Sequence, residues 1–359
     1  MKFVIRAGGI GTRLWPFSRR EKPKQFHALV SDRSMLQTAV ERIDSIAALE
    51  DVYVSTGSAL AEGVTSQLPD LVEGHLIVEP ALRNTGPAVG LECVLLEAAF
   101  PGCIVASLGS DHHIGRPEEF CRLLKAAESA VSEHPDELVL VGVKPTRAET
   151  GFGYIQKGEV FHEADGEPVY RVGGVKEKPD LDTAGAYVSS GDYLWNANMF
   201  VWRAGRVLEL LETHEPDLHA GLMEIKAAVG TSAEQSTLER VYPGLKEIAI
   251  DNAVLERADR VAVVEADIDW SDIGSWSALA DVLPVDEKGN LLSADAITVD
   301  STGSTVYAPE GKLVALIGVD DLVVVDAGDA LLVVPKDMVQ RVREVVDELG
   351  ERDDGEKYL

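Results

Sequence analysis

The segment Met1–Phe26 combines a glycine-rich turn with basic side chains. Lys2–Ala7 has the composition of a buried strand, and three glycines follow it: Gly8, Gly9 and Gly11. A strand that ends in a glycine turn exposes backbone N–H groups that can bind phosphate. Arg13 and Lys24 can add charge-assisted hydrogen bonds to phosphate oxygens. The start of the chain therefore predicts a binding site for a nucleoside triphosphate.

Two common glycine loops do not match this turn. A P-loop ends in Gly-Lys-Ser/Thr, whereas this turn ends in Gly11-Thr12-Arg13. The dinucleotide-binding loop needs a third glycine, and Leu14 occupies that position. The sequence therefore disfavours both a P-loop NTPase and a nicotinamide-dependent oxidoreductase.

The run Gly8–Pro16, which reads G-G-x-G-T-R-L-x-P, and the P-K-Q of Pro23–Gln25 resemble the signature of the sugar-nucleotide pyrophosphorylases. Trp15-Pro16 and Lys24–Phe26 are most similar to the members that use GTP and mannose 1-phosphate. The resemblance implies Mg²⁺-dependent transfer of GMP from GTP to mannose 1-phosphate, giving GDP-mannose and pyrophosphate. The alternative is an ordinary strand, turn and helix whose basic residues are solvated.

Two acidic residues are candidate metal ligands. Asp111 follows an apolar run that predicts a buried strand, and an acid at the end of such a strand can bind magnesium. The family usually has Pro-Ala-Asp-His here, so Gly109-Ser110 is a departure that leaves the acid and His112 in place. By resemblance, Asp272, before Gly274-Ser-Trp, is the second metal ligand. We assign His112 no catalytic role.

The resemblance also implies which residues bind the nucleotide. Glu79 and the run Arg83–Thr85 precede an apolar helix predicted over Pro87–Phe100, and they match the family's E-P-x-x-R-N-T segment near the base. The alternative role for Asn84 or Thr85 is to cap that helix. The nucleotide-binding set is Ala7, Gly8, Gly9, Gly11, Thr12, Glu79, Asn84, Thr85 and Gly109.

Three further segments resemble the family's sugar-binding elements: G-F-G-Y-I from Gly151, E-K-P from Glu177, and W-N-A-N-M-F from Trp195. They imply a sugar-binding set of Gly153, Tyr154, Glu177 and Asn196, with Lys178 on the sugar phosphate. Ala197 and Asn198 replace the family's Ser-Gly pair. Asn tolerates a left-handed backbone, so Asn198 can replace the glycine.

The attacking group in such a transfer is an anionic phosphate oxygen, which needs no protein base. The required catalysis is alignment and charge neutralisation at phosphorus. We therefore assign the catalytic roles to Arg13, Lys24 and Lys178. A nucleotidyltransferase for another base or sugar is the nearest alternative, and a catalytically silent sugar-nucleotide sensor is another.

Apolar strand-like runs alternate with helical patterns up to about residue 143, which predicts a doubly wound, mostly parallel α/β sheet. We expect residues 1–285 to form the catalytic domain. Residues 286–359 contain short β-rich segments and a closing helix over Met338–Leu349. They predict a small β-helix or β-roll domain, which in the family makes dimer contacts. The polar end, Glu351–Leu359, is expected to fray.

The net charge of −28 over 359 residues argues against binding to nucleic acid or to anionic membranes. The three cysteines have no metal-binding spacing and are predicted to be reduced thiols. No signal peptide or membrane-spanning run is recognised, which favours the cytoplasm. Together with the resemblance, these observations predict a cytoplasmic enzyme that forms a homodimer.

Overall fold

A computed structural model describes residues 1–9 and 11–359. Strands and helices alternate through the first part of the chain. In order they are β1 Lys2–Arg6, α1 Met35–Glu41, β2 Val52–Gly57, α2 Ala61–Gln67, β3 Leu76–Glu79, α3 Thr85–Ala99, β4 Ile104–Gly109, β5 His113–Ile114, α4 Pro117–Glu133 and β6 Leu138–Val143.

The middle part contains a long hairpin and a group of helices: β7 Gly153–Ala164, β8 Glu167–Glu177, α5 Leu181–Ser190, β9 Tyr193–Arg203, α6 Ala204–His214, α7 Pro216–Ala228, α8 Glu234–Val241, β10 Val261–Ala266 and β11 Trp270–Ser271. The last part is rich in strands: β12 Leu291–Ser293, β13 Asp295–Val299, β14 Thr305–Tyr307, β15 Leu313–Ile317, β16 Leu322–Asp326, β17 Leu331–Pro335, and the helix α9 Val342–Glu351.

The main sheet has nine strands in the order β3-β2-β1-β4-β9-β6-β10-β8-β7. Strands β3, β2, β1 and β4 are parallel to one another, and β6 is parallel to β10. Strands β2 and β6 are buried along their whole length, as expected where helices cover both faces of a sheet. The doubly wound α/β architecture is confirmed, and its parallel half carries the glycine turn.

Strand β9 joins the two parallel groups by pairing antiparallel with both β4 and β6. The hairpin β7–β8 extends the sheet and also pairs with β9. In this register Gly153 lies opposite both Glu177 and Asn196. The sheet thereby brings together three segments that are separate in the sequence.

Helices on the two faces of the sheet enclose separate hydrophobic cores. On one face α4 packs with residues such as Phe120 and Leu124, and on the other α3, α6 and α7 pack together. Helix α3 is buried on nearly all sides, which explains its nearly continuous apolar sequence. No helix among the described residues is long and apolar enough to cross a bilayer.

The C-terminal strands share a third core with the glycine-turn segment. Trp276 is fully buried there, and its indole N–H donates to the carbonyl of Trp15 at 3.0 Å. The indole of Trp15 donates to the carbonyl of Tyr358 at 2.9 Å. The polar tail was expected to fray, but the hydrogen bond from Trp15 to Tyr358 holds it against the glycine-turn segment. The boundary between residues 285 and 286 stays a prediction.

The limits of α1 and of the closing helix follow from their local sequences. Helix α1 ends at Glu41, and turns follow it, because Asp44 and Ser45 are weak helix formers that favour turns. In the closing segment, a 3₁₀ helix over Lys336–Arg341 precedes α9, so the α-helical part begins later than Met338.

Candidate active site

The candidate site lies at the carboxyl ends of β1 and β4, where ligands gather in open α/β sheets. In the parallel register Arg6 lies beside Gly109, and the amide of Ser110 donates to the carbonyl of Arg6 at 3.1 Å. This pairing places Asp111 next to the glycine turn. A Cβ atom added at Gly9 would lie 3.8 Å from the Asp111 carboxylate.

The segment Pro23–Gln25 fastens the glycine turn from the other side. The side-chain amide of Gln25 donates to the carbonyls of Ala7 and Gly9, at 3.2 and 2.9 Å. Gly11 has a φ of +63°, and an added Cβ would lie 3.1 Å from Lys24 Cγ. Glycine is therefore required at this position for both its backbone conformation and its small size.

Lys24 connects the two candidate metal ligands. Its Nζ donates to the Asp272 carbonyl at 2.6 Å and lies 2.9 Å from Asp111 Oδ2. The residue is only 7% exposed. Three motifs from distant parts of the sequence thus converge on one buried ammonium group.

Charges around Lys24 determine the protonation of its neighbours. Burial is the largest single effect and would raise the pKa of Asp111, but the Lys24 ammonium, His112 and hydrogen bonds to the carboxylate together outweigh it and lower that pKa to about 2. Burial lowers the pKa of His112 to about 4, although Asp111 opposes the shift. At neutral pH Asp111 is therefore ionised and His112 is neutral.

Two adjoining cavities open around these groups, and Asp111 and His112 line both. The Asn84 cavity, of about 430 Å³, is lined by Gly8, Gly9, Glu79, Asn84, Thr85 and Gly109. The Lys24 cavity, of about 490 Å³, is lined by Arg13, Lys24, Arg147, Asn196 and Asp272. Because they share these residues, the two cavities are adjoining parts of one cleft.

Polar groups of the Asn84 cavity are held by local structure. Asn84 has a φ of +66°, and its side chain accepts from the amide of Thr85 at 2.8 Å, so it caps α3. The Thr85 hydroxyl accepts from the amide of Ile250 at 2.9 Å. Glu79 accepts from the Tyr242 hydroxyl at 2.5 Å, and burial raises its pKa. Asn84 thus caps α3 and also lines the wall of the Asn84 cavity.

The predicted sugar-binding residues meet around Gly153. Asn196 donates from Nδ2 to Asp251 at 2.8 Å and accepts from the amide of Asn198 at 3.1 Å. Asn198 has a φ of +52°, so the prediction that it adopts a glycine-like backbone is confirmed. Glu177 lies beside Gly153, since a Cβ there would be 2.5 Å from its carboxylate.

The side chains of Lys178 and Tyr154 lie outside the walls of the two cavities. Lys178 is exposed, and its Nζ pairs with the adjacent Glu177 at 2.7 Å. Tyr154 is buried, and its hydroxyl donates to the carbonyl of Glu149 at 2.9 Å. A direct contact of the Tyr154 side chain with a sugar is therefore corrected to a supporting role, because this side chain is buried in the core and its hydroxyl is engaged by Glu149.

Other predicted residues lie outside the walls of the two cavities: Ala7, Gly11, Thr12, Gly153, Glu177 and Lys178. The amide of Ala7 is already engaged, since it donates to the Ser55 carbonyl at 2.7 Å. Ala7 therefore shapes the turn through its backbone, and its amide is not available to a ligand.

Three charged residues of the site were missed at the sequence level. Arg6 lines the Asn84 cavity, and its position as a charged residue in an apolar strand was a usable signal. Arg147 lines the Lys24 cavity from the loop after β6. Asp251 holds Asn196, but an isolated acid in a helical stretch gives no local signal.

The donor set of the Lys24 cavity fits a hard divalent cation. Asp111 and Asp272 both line it and supply carboxylate oxygens, which such cations prefer. Asp272 Oδ1 accepts from the Gly274 amide at 3.1 Å, an arrangement that orients this carboxylate. Among the described residues, a group of three side chains whose possible ligand atoms lie within 4.8 Å of one another occurs away from this cavity, at Glu133, His134 and His162.

The sequence matches two family descriptions. Nucleotidyl transferase covers residues 2–289, and MannoseP isomerase/GMP-like beta-helix domain covers residues 294–349. Among similar curated proteins are mannose-1-phosphate guanylyltransferases from Escherichia coli, 35% identical, and from Salmonella typhimurium, 38% identical. The alignments span 96% of this chain and 75% and 72% of those proteins.

Two solved structures are similar to this chain. A structure described as mannose-1-phosphate geranyltransferase from Thermus thermophilus superposes with a TM-score of 0.85 at 34% identity. The superposition covers 97% of this chain and 99% of that one. A structure described as mannose-6-phosphate isomerase from Helicobacter pylori has a TM-score of 0.60 at 22% identity, over 75% of this chain and 98% of that one, and shares the fold.

Proposed function

The chain belongs to the nucleotidyl transferase family, and from this premise we propose that it transfers GMP from GTP to α-D-mannose 1-phosphate. The observation that carries the proposal is the convergence of three family motifs on Lys24, which contacts Asp111 and the Asp272 carbonyl. An oxygen of mannose 1-phosphate forms a bond to the α-phosphorus. The bond from that phosphorus to the bridging oxygen breaks, and its electron pair leaves with pyrophosphate.

The triphosphate is held by groups from the first part of the chain. The glycine turn lines the Asn84 cavity and offers its amides there, and Arg13 and Lys24 supply positive charge in the adjoining Lys24 cavity. Lys24 can move its donors from Asp111 to a phosphate, because an ammonium has three rotatable donors. This binding aligns the α-phosphorus with the attacking oxygen, which is the main requirement for such a transfer.

Enzymes of this family use a divalent cation, and we propose Mg²⁺ held by Asp111 and Asp272. When bound, it neutralises charge on the phosphate oxygens. The depressed pKa of Asp111 keeps that carboxylate available at neutral pH. The Lys24 ammonium stays paired with the Asp111 carboxylate until a ligand enters.

Asn196, which lines the Lys24 cavity, forms the proposed mannose site with Gly153 and Glu177, and Lys178 reaches the sugar phosphate. Asp251 and Asn198 fix the Asn196 side chain by hydrogen bonds. A prepared amide of this kind can bind a sugar hydroxyl with little further ordering. The exposure of Lys178 leaves its ammonium free to follow the incoming phosphate.

The test is pyrophosphate release from each of GTP, ATP, UTP and dTTP, crossed with mannose and glucose 1-phosphates, with and without Mg²⁺. We expect rapid release with GTP, mannose 1-phosphate and Mg²⁺ together. Lys24→Met should abolish most turnover, whereas Lys125→Met, a matched change of an exposed lysine on α4, should not. Release with a different pair of substrates would refute the assignment of base or sugar.

We also propose that the chain acts as a homodimer, with residues 286–359 as the domain that makes the contact. Large apolar side chains are exposed on one face of the paired strands β13 and β15: Ile297, Val299, Leu313 and Ile317. An apolar face of this kind favours association with a second copy. Sedimentation equilibrium should show a dimer for the wild type and a monomer for Ile297→Lys/Ile317→Lys.

We place the reaction in the cytoplasm, where GTP is formed and thiols stay reduced. Cys93, Cys103 and Cys121 are free in the structure, and two of them are buried. Fractionation of cells followed by the pyrophosphate assay would check this assignment.

A further inference from the structure

Arg6 is a charged residue at the end of β1 whose guanidinium points into the Asn84 cavity. Nη2 donates to the carbonyl of Asn198 at 2.5 Å. Nη1 is shielded from solvent and has no hydrogen-bond partner among the residues that the structure describes. A charged donor left in this state is costly, so a bound ligand that accepts from it would gain affinity.

The surroundings keep the guanidinium in place. Its face lies over the ring of Phe200, with the guanidinium carbon 5.2 Å from the ring centre. The carboxylates of Glu92, Asp251 and Glu79 attract it electrostatically. Arg6 is therefore held by its neighbours from several sides while one N–H group remains free for a ligand.

The two ends of the cleft indicate which part of a nucleotide reaches Arg6. The cations suited to phosphates, Arg13 and Lys24, line the other cavity. The Asn84 cavity also has apolar walls, from Leu82 and Phe200, as expected for a purine site. Arg6 therefore lies in the wall of the space that we assign to the base, and its unpaired Nη1 is the donor that a base entering this space can engage by displacing the atoms that shield it.

We propose that Arg6 donates from Nη1 to the O6/N7 edge of guanine and so selects GTP over ATP. Guanine presents two acceptors on this edge, which arginine commonly recognises. Adenine presents an amino donor in place of O6, and that group opposes a guanidinium. The inference rests on the proposed function and adds a specificity-determining residue to it.

The experiment deletes one acceptor of the base at a time. Wild type and Arg6→Leu are compared with GTP, with 7-deaza-GTP, which lacks N7, and with 2-aminopurine riboside triphosphate, which lacks O6. For wild type we expect kcat/KM to fall roughly 10- to 100-fold with at least one analogue. Arg6→Leu should lower kcat/KM for GTP by a similar factor. In this variant, kcat/KM for that analogue should equal kcat/KM for GTP.

The control nucleotide is ITP, which keeps O6 and N7 and lacks the 2-amino group. Arg6→Leu should lower kcat/KM for ITP by the same factor as kcat/KM for GTP. The GTP/ATP preference should also narrow in Arg6→Leu. Arg6→Lys keeps a charge that can hold the Asn198 carbonyl, so its melting temperature should stay near that of wild type while its base preference weakens.

Additive losses for both analogues would overturn the proposal and leave Arg6 as a brace for Asn198. Calorimetric titration of the same nucleotides separates this outcome from failure of the proposed function. If wild type binds the nucleotides but transfers none, coupling between Arg6 and O6 or N7 in the dissociation constants still supports the base contact. Equal dissociation constants for GTP in wild type and Arg6→Leu would refute it.

Discussion

Replacing Asp111 by Asn removes the charge of the proposed metal ligand and keeps its shape. The Lys24 ammonium lies 2.9 Å from this carboxylate. Burial is the largest single effect on its pKa and raises it, but Lys24, His112 and hydrogen bonds to the carboxylate together lower the pKa from 3.8 to about 2. This shift corresponds to about 2 kcal/mol of folding stability at neutral pH. Because the folded-state pKa is depressed, the contribution is present above pH 3.8 and is lost as the pH falls through 2.

The variant should therefore fold, since typical domains have a larger reserve of stability. We expect kcat to fall by about 10³-fold, because one charge-stabilising group at the reacting centre is worth about 10²–10³. The assay is pyrophosphate release at saturating GTP, mannose 1-phosphate and Mg²⁺, with urea unfolding measured on the same samples.

The matched control is Asp51→Asn, which removes a lysine-paired carboxylate at the opposite end of β1. Asp51 Oδ1 lies 2.5 Å from Lys2 Nζ, and the control should retain wild-type turnover. If folded Asp111→Asn keeps kcat within threefold of wild type, Asp111 does not hold the metal. An equal loss in the control would show that the effect is not specific to the site.

Three other changes test the structure elsewhere. Burial raises the pKa of Glu92 to about 7 despite attraction by Arg6, so its contribution to stability is full below pH 4.5 and is lost as the pH rises through 7. Relative to Glu92→Gln, the unfolding free energy of wild type should fall by about 3 kcal/mol between pH 4.5 and 8 in urea titrations, and a constant difference would contradict this pKa. Gly153→Ala places a Cβ 2.5 Å from the Glu177 carboxylate, so the KM for mannose 1-phosphate should rise about tenfold or more, and an unchanged KM would exclude Glu177 from the sugar site. Trp276→Ala should cost about 3–5 kcal/mol in guanidinium unfolding, because it empties the core beneath the C-terminal strands, and a loss below about 1 kcal/mol would show that this core contributes little.

Some features of the site depend on neighbouring residues alone, and these could be predicted from the sequence. The glycine turn follows β1 directly, so its conformation and exposed amides are local properties. Asp111 follows β4 for a similar reason, and strand–helix alternation was enough to predict the doubly wound sheet. The left-handed backbone of Asn198 was also predictable, because it reflects a property of asparagine.

Other features arise from long-range pairing, which a single sequence does not reveal. The register of β9 against β7 decides that Asn196 meets Gly153, and the same register turns Tyr154 into the core. The contact of Lys24 with Asp111 and the Asp272 carbonyl requires three separate segments to converge.

Arg6 shows which features depend on local sequence and which depend on long-range packing. The sequence by itself determined that a charged residue ends an apolar strand beside a phosphate-binding turn. Only the tertiary structure decided that the Asn198 carbonyl accepts from Nη2 while Nη1 is buried with no hydrogen-bond partner among the described residues. The physical reason is that local chemistry depends on residue type, whereas burial and hydrogen-bond partners depend on which distant segments pack together.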